Sequence, residues 1–491
     1  MAQAQLFDRP ATAAAPARLA DRVNLGLVAV VLVQFAFVCH QIATSTGVYF
    51  GDDWLHLLLS RLVLHHWTKI LEIWGRPAMT AAYIPGAAGG MWSVHLESAL
   101  LLGTTTACSM ALAQRLGMRY WPAVGVLLLA QPYTVLLAYG AMPETVFSVL
   151  LAVALLLRAH GRDLPAVLVA SLLPLARLEG VVLVAVWALV ELWQGRFRWR
   201  TTPWLGTGVA VWAIVGGIVH RKPLWLVTAN RFVNSHHVST AAAGWRFGLT
   251  AFAVVFGGVV GGLAIASIAR PRFPDALVPA AVVGMLAFYA IAWGRGLFQT
   301  IDTPIYLVSL SVPIALLALH ALESTSRVER IAWWRDLAAL GAGLACTLSP
   351  AFVTYPAVST VAVRSTVFVV AAVLAAGRLR RHRAFAFAVP AVILTVALVV
   401  GVAAEPTIAL SGNQPQTAML LAHLGDRGPR LRAYADLAVG FLIGRRANPG
   451  PYRPGILATP LGDDVLWEAH HPTLQHHTTL RWIEAHGFAV V

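Results

Sequence analysis

The chain has 491 residues, of which 58% are hydrophobic and only 12% charged, with a mean hydropathy of +0.70. A soluble protein carries roughly a quarter charged residues, so too little polar surface remains here to coat a water-facing globule, and a soluble enzyme is excluded. The net charge of +14 would suggest a nucleic-acid partner in a soluble protein. In a membrane protein it is explained first by Arg and Lys collecting in cytoplasmic loops.

The N-terminal segment carries Arg18 and Arg22 ahead of a long apolar run, which reads as a signal anchor that stays in place. About 13 apolar stretches then reach bilayer-spanning length. They lie near 23–42, 92–112, 121–139, 143–159, 164–177, 179–194, 204–220, 249–268, 276–293, 304–321, 333–350, 357–377 and 384–404. Lipid offers the backbone no hydrogen bonds, so each should be helical. The weakest boundary is Arg177-Leu178-Glu179, between the fifth and sixth stretches. With 13 spans and a cytoplasmic N-terminus, the cytoplasmic pieces hold 19 of the 36 Lys and Arg residues and the outer loops 10. That asymmetry predicts an external C-terminus. Residues 1–404 form the expected transmembrane domain, and residues 405–491 an expected extracytoplasmic module of α/β type.

The first outer loop, 43–91, is too long for a plain connection. Trp54, Leu55, Leu58, Leu59 and Leu62 recur at helical spacing, with Arg61, His65 and Lys69 on other faces. This predicts a helix lying in the membrane interface. Immediately ahead of it stand Asp52 and Asp53 in Gly51-Asp52-Asp53-Trp54. Adjacent carboxylates at a membrane surface repel each other and cost desolvation. The simpler alternative to a functional role is an N-cap for the helix that follows.

Further along, Met142-Pro143-Glu144 opens a span, where the helix dipole alone favours a carboxylate. Arg177 and Glu179 lie between two apolar runs, either as the wall of a polar cavity or as an ion pair fixing a helix break. The outer loop at 220–248 carries Arg221, Lys222 and Arg231, against the positive-inside trend. Those cations suit a lipid phosphate, or lipid headgroups without catalysis. His470-His471 and His476-His477 lack the spacing of a defined metal site.

The order of these motifs resembles the GT-C class of glycosyltransferases. In that class an acidic motif follows the first span and an interfacial helix follows the motif. A stretch like Trp74-Gly75-Arg76-Pro77 then leads into the second span. Met142-Pro143-Glu144 and Leu172-Leu173-Pro174-Leu175-Ala176-Arg177-Leu178-Glu179-Gly180 match later motifs. The usual form of the last is Arg-Pro-Glu-Gly, so Leu178 departs from it. The resemblance covers roughly residues 25–200 and is architectural beyond.

It implies an all-α polytopic membrane protein of the inner (plasma) membrane that transfers a sugar from a polyprenyl-phosphate donor to a glycan, lipid or protein acceptor. Asp52 or Asp53 would be the base. Arg76, Glu144, Arg177, Glu179, Arg221, Lys222 and Arg231 would bind substrate. A divalent metal is a possible cofactor. The rival is a transporter or flippase for a lipid-linked glycan, which should carry its polar groups near the bilayer midplane.

Overall fold

The computed structural model describes residues 14–44, 51–228, 252, 255–256, 258–268, 273–294, 303–325, 431–434 and 464–467. The expected spans at 333–350, 357–377 and 384–404 lie outside these residues. Apart from two short strands, the regular structure described is helical.

In chain order, α1 (Ala14–Thr44) leads to the first loop, which holds α2 (Gly51–Val63), a 3-10 turn (Trp67–Leu71), α3 (Pro77–Ala82) and α4 (Ile84–Gly89). Then come α5 (Met91–Arg115), α6 (Ala123–Leu129), α7 (Pro132–Leu136) and α8 (Pro143–Ala159). They are followed by α9 (Asp163–Ala170), α10 (Leu173–Ala176), α11 (Gly180–Trp193), α12 (Thr207–His220) and α13 (Trp225–Thr228). The remaining helices are α14 (Gly258–Ile268), α15 (Leu277–Gly294), α16 (Thr303–Leu307) and α17 (Ser311–Thr325). Strands β1 (Leu431–Tyr434) and β2 (Asp464–Trp467) pair in parallel, Leu431 opposite Asp464.

Among the described residues, Met91–Arg115, Thr202–His220 and Ile305–Ser324 are long and apolar enough to cross a membrane. Asn24–His40, Asp163–Ala176, Gly180–Trp193 and Leu277–Ala292 are shorter apolar helices.

Helix ends follow local chemistry. α8 starts with Pro143 in its first turn, where a missing N–H costs nothing. It stops at Gly161 (φ 70), whose left-handed backbone lets Arg162 N–H donate to the Leu157 carbonyl at 3.0 Å. The expected third span is broken between α6 and α7, because Gln131 precedes Pro132 and takes an extended backbone. The break is stapled to the start of α17, where a 3-10 turn passes into α-helix. Gln131 Nε2 donates to the Ser311 carbonyl (3.0 Å), and the Thr134 and Ser311 hydroxyls lie 2.6 Å apart.

Two charge clusters fix the direction of the central helices. At the start of α8, Glu144 meets Arg177, just before α11. At the far end of α8, Arg158 meets Glu191 near the end of α11, and Asp275 ahead of α15 at 3.2 Å. Pairing start with start and end with end makes α8 and α11 parallel. Glu144 and Arg158 are separated by about 21 Å of helix, so the clusters sit at opposite ends of the bundle. Exposed Trp67, Trp74 and Trp92 mark one end, and exposed Trp193, Trp199 and Trp204 the other. That is the pattern of aromatic residues at two membrane interfaces.

Candidate active site

α2 opens with Gly51 followed by Asp52 and Asp53, carboxylates that the helix N-terminus favours. The helix then turns inward a face that its leucine pattern does not announce. Asp53, His56, Leu57 and Ser60 are all buried, at i, i+3, i+4 and i+7. The helix expected to lie in the membrane interface packs one face on α3 and α4, with Leu57, Leu58 and Leu59 buried. Ser60 satisfies itself by donating to the His56 carbonyl at 2.9 Å. Burial, with the guanidinium groups of Arg76 and Arg177 nearby, holds the His56 imidazole well below its ordinary value of 6.5. Of Asp52 only the backbone position on α2 is described.

Arg76 caps the start of α3 with φ 57 and ψ 120. Pro77 behind it disfavours helical backbone at this position, and a side chain at positive φ costs roughly 1–3 kcal/mol. The strained residue is also buried, at 6% exposure. Its charge acts on His56 in α2 and on Glu179 ahead of α11.

Arg177 is the hub. Its extended backbone (φ −148, ψ 135) ends α10 and breaks the chain before α11 even without the usual proline at Leu178. Nη1 donates to Glu144 Oε1, Nη2 to Glu179 Oε1 at 2.9 Å, and Nε to Glu179 Oε2 at 3.3 Å. The flat face of the guanidinium lies 4.5 Å from the Tyr306 ring centre. All three charged residues are buried, with Arg177 only 1% exposed. The pair expected from the sequence is thus a buried ion cluster across a helix break, extended to a third partner on α8. Such a fork with charge on both sides is the geometry that suits Arg rather than Lys.

The turn ahead of α8 completes the site. The Tyr83 and Ser98 hydroxyls lie 3.1 and 3.0 Å from the Gly140 carbonyl oxygen and 3.0 Å from each other. The Asp53 carboxylate rests against the Cα side of Gly140.

Asp53, Arg76, Glu144, Arg177 and Glu179 are thus gathered around one junction of α2, α3, α8 and α10. Arg221 and Lys222 lie elsewhere in the chain order, on the surface. They are exposed at the C-terminus of α12, where Arg221 takes a left-handed backbone (φ 54). That terminus is tied to the first loop through aromatic rings: Trp225 stacks on His220 at 4.6 Å, and Trp212 Nε1 donates to the Leu71 carbonyl at 3.1 Å. Arg231 lies outside the described residues. Sequence reasoning missed His56, Tyr83, Ser98 and Gly140. Only His56 had a signal, a polar stripe at 53, 56 and 60 opposed to the leucines. Among the described residues no three His, Cys, Asp or Glu side chains are grouped to hold a metal ion.

No family model matches the chain, and no curated protein does. Two crystal structures of ArnT from Cupriavidus metallidurans are similar in fold. One, bound to undecaprenyl phosphate, has a TM-score of 0.56, and the other, in the apo state, 0.54. The chain has the fold of ArnT. Each likeness covers 85% of this chain and 84% of ArnT, at 17% sequence identity. The GT-C resemblance that the motifs carry over roughly residues 25–200 is therefore matched, as a fold, over most of the chain. With a multi-helix bundle of ArnT form and two interfacial tryptophan levels, the protein is a polytopic membrane protein.

Proposed function

We propose that the chain is an inverting GT-C glycosyltransferase that moves a sugar from a polyprenyl-phosphate donor to an acceptor hydroxyl at the outer face of the inner membrane. The observation that carries this reading is the Asp53 carboxylate, held beside the Gly140–Glu144 turn with two buried arginines close by, in a fold shared with a protein crystallised on undecaprenyl phosphate.

In this reading Asp53, or its neighbour Asp52, takes the proton from the acceptor hydroxyl. The acceptor oxygen forms the new bond to the anomeric carbon, and the bond to the phosphate oxygen breaks. Polyprenyl phosphate leaves with the electron pair. Arg76 supplies positive charge for the phosphate as it gathers charge. Arg177, Glu144 and Glu179 hold the junction in shape and do not touch substrate. Exposed Arg221 and Lys222, with Arg231, attract the anionic lipid headgroup at the surface. The activated leaving group comes with the lipid, so positioning and proton removal are the protein's main work. The N-terminus is cytoplasmic in this scheme, and residues 405–491 form an outer module. The transporter reading fits less well, because the site's charges gather at one end of α8 and α11 rather than midway along them.

Reconstituted protein with labelled undecaprenyl-phosphate hexose and pentose donors tests the proposal. The expected result is transfer with stoichiometric release of undecaprenyl phosphate. Asp53→Asn should reduce turnover roughly 100- to 10,000-fold, the usual worth of a general base. Movement of the intact lipid-linked sugar across the bilayer without transfer would overturn it in favour of the flippase.

A further inference from the structure

Gly140 lies 87 residues from Asp53 in the sequence, yet its Cα faces the Asp53 carboxylate. A Cβ built at 140 would stand 2.8 Å from Oδ1, 2.5 Å from Cγ and closer still to Oδ2. No side chain fits there unless the carboxylate moves. The Gly140 backbone cannot retreat either. Its carbonyl faces the Tyr83 and Ser98 hydroxyls at 3.1 and 3.0 Å, and both side chains are fully buried. Burial pushes the Tyr83 phenol well above its ordinary value, and the Asp53 and Glu97 carboxylates push it the same way, so the hydroxyl stays a donor. Three residues from three segments, the α3–α4 junction, α5 and the turn before α8, therefore converge behind one carboxylate.

We propose that Gly140, clamped by Tyr83 and Ser98, is the positioning residue that seats Asp53 for proton removal. The inference rests on the reading of Asp53 as the base. Proton transfer needs the carboxylate within hydrogen-bond reach of the acceptor hydroxyl, and a displacement of about 1 Å can cost on the order of 100-fold. A glycine seat fixes the carboxylate from behind while adding no group that contacts substrate.

The test uses full-length protein in lipid nanodiscs, with an undecaprenyl-phosphate sugar that the wild type accepts. Gly140→Ala should lower kcat roughly 10- to 100-fold, with KM for donor and affinity for undecaprenyl phosphate within about 2-fold of wild type. Tyr83→Phe and Ser98→Ala, which remove one clamp hydroxyl each and add no bulk, should each show a smaller loss in kcat, and the double variant a larger one. A second readout does not depend on activity. Labelling of Asp53 by a water-soluble carbodiimide with glycine ethyl ester, followed by mass spectrometry, should be slow in wild type and several-fold faster in Gly140→Ala. Equal labelling rates, or a rise in KM that accounts for the whole loss, would overturn the seat. Absence of transfer by the wild type with every donor would sink the proposed function instead, and the labelling comparison would still decide the seat. Undiminished turnover in Asp53→Asn overturns the reading of Asp53 as the base and the seat with it, while transfer itself would stand.

Discussion

Arg177 shows what one side chain can hold. It is 1% exposed and is paired with carboxylates 33 residues upstream and two downstream. Removing the guanidinium would strand Glu144 and Glu179 in the interior. Arg177→Met should therefore cost about 3–5 kcal/mol, seen as a large drop in the thermal midpoint of purified protein. Arg177→Lys should recover only part of it, because an ammonium cannot fork to both partners.

His56 makes the opposite kind of prediction. Its folded-state basicity is depressed below 6.5 by burial and by Arg76 and Arg177, so the unfolded chain binds the proton more readily. Stability is then unaffected above about pH 6.5 and falls as pH drops below it, by up to about 1.4 kcal/mol per unit. His56→Asn should flatten that slope between pH 7.5 and 5.5. An unchanged slope would assign the acid lability to other groups.

At the scale of elements, α8 and α11 are parallel helices tied at both ends, and the two ties have different duties. Glu144–Arg177–Glu179 adjoins the candidate site, whereas Arg158–Glu191–Asp275 lies about 21 Å away along α8 and joins α15 to the pair. Arg158 also faces the Trp187 ring at 5.6 Å. Arg158→Gln should lower stability by roughly 3 kcal/mol, since it leaves two carboxylates without their cation. Undecaprenyl phosphate affinity of the folded fraction should stay within about 2-fold. A selective loss of lipid binding with normal stability would contradict this division. The helix breaks belong to the same scale. Gln131-Pro132 and Pro174 fall inside stretches read from the sequence as single spans, and that Gln131 reaches Ser311 is a matter of packing alone.

For the whole molecule, several hydrogen bonds join loops that the charge-based topology expects on one side of the membrane. Asn24 with the Arg119 carbonyl, Arg115 with the Ala159 carbonyl, Tyr120 N–H with Glu323, and Arg198 with Asp163 all join segments that topology places on the cytoplasmic side. The Tyr83–Gly140 bond joins two segments expected outside, whereas Trp212 reaches Leu71 of the first outer loop from within an expected span and Gln131–Ser311 joins two expected spans. Reporter fusions should accordingly place Arg196–Arg200 in the cytoplasm and the loop containing α2 outside. Cytoplasmic activity from a fusion within that loop would invert the molecule and remove the candidate site from the outer face.

Composition determined by itself that this chain lives in a membrane. Its local motifs were enough to set the order of an acidic loop, an interfacial helix, a Pro-Glu helix start and a charged break. These are legible because hydropathy, proline and charge act over a turn or two of helix, within reach of a sequence window. Tertiary structure alone decided that Asp53, Arg76, Glu144, Arg177 and Glu179 meet, that Arg221 and Lys222 are exposed, and that Gly140 backs the carboxylate. The Tyr83–Gly140 bond spans 57 residues and the Arg177–Glu144 pair 33. A glycine announces nothing about which side chain will press on it. Such contacts arise only when the bundle closes and each buried polar group must find a partner.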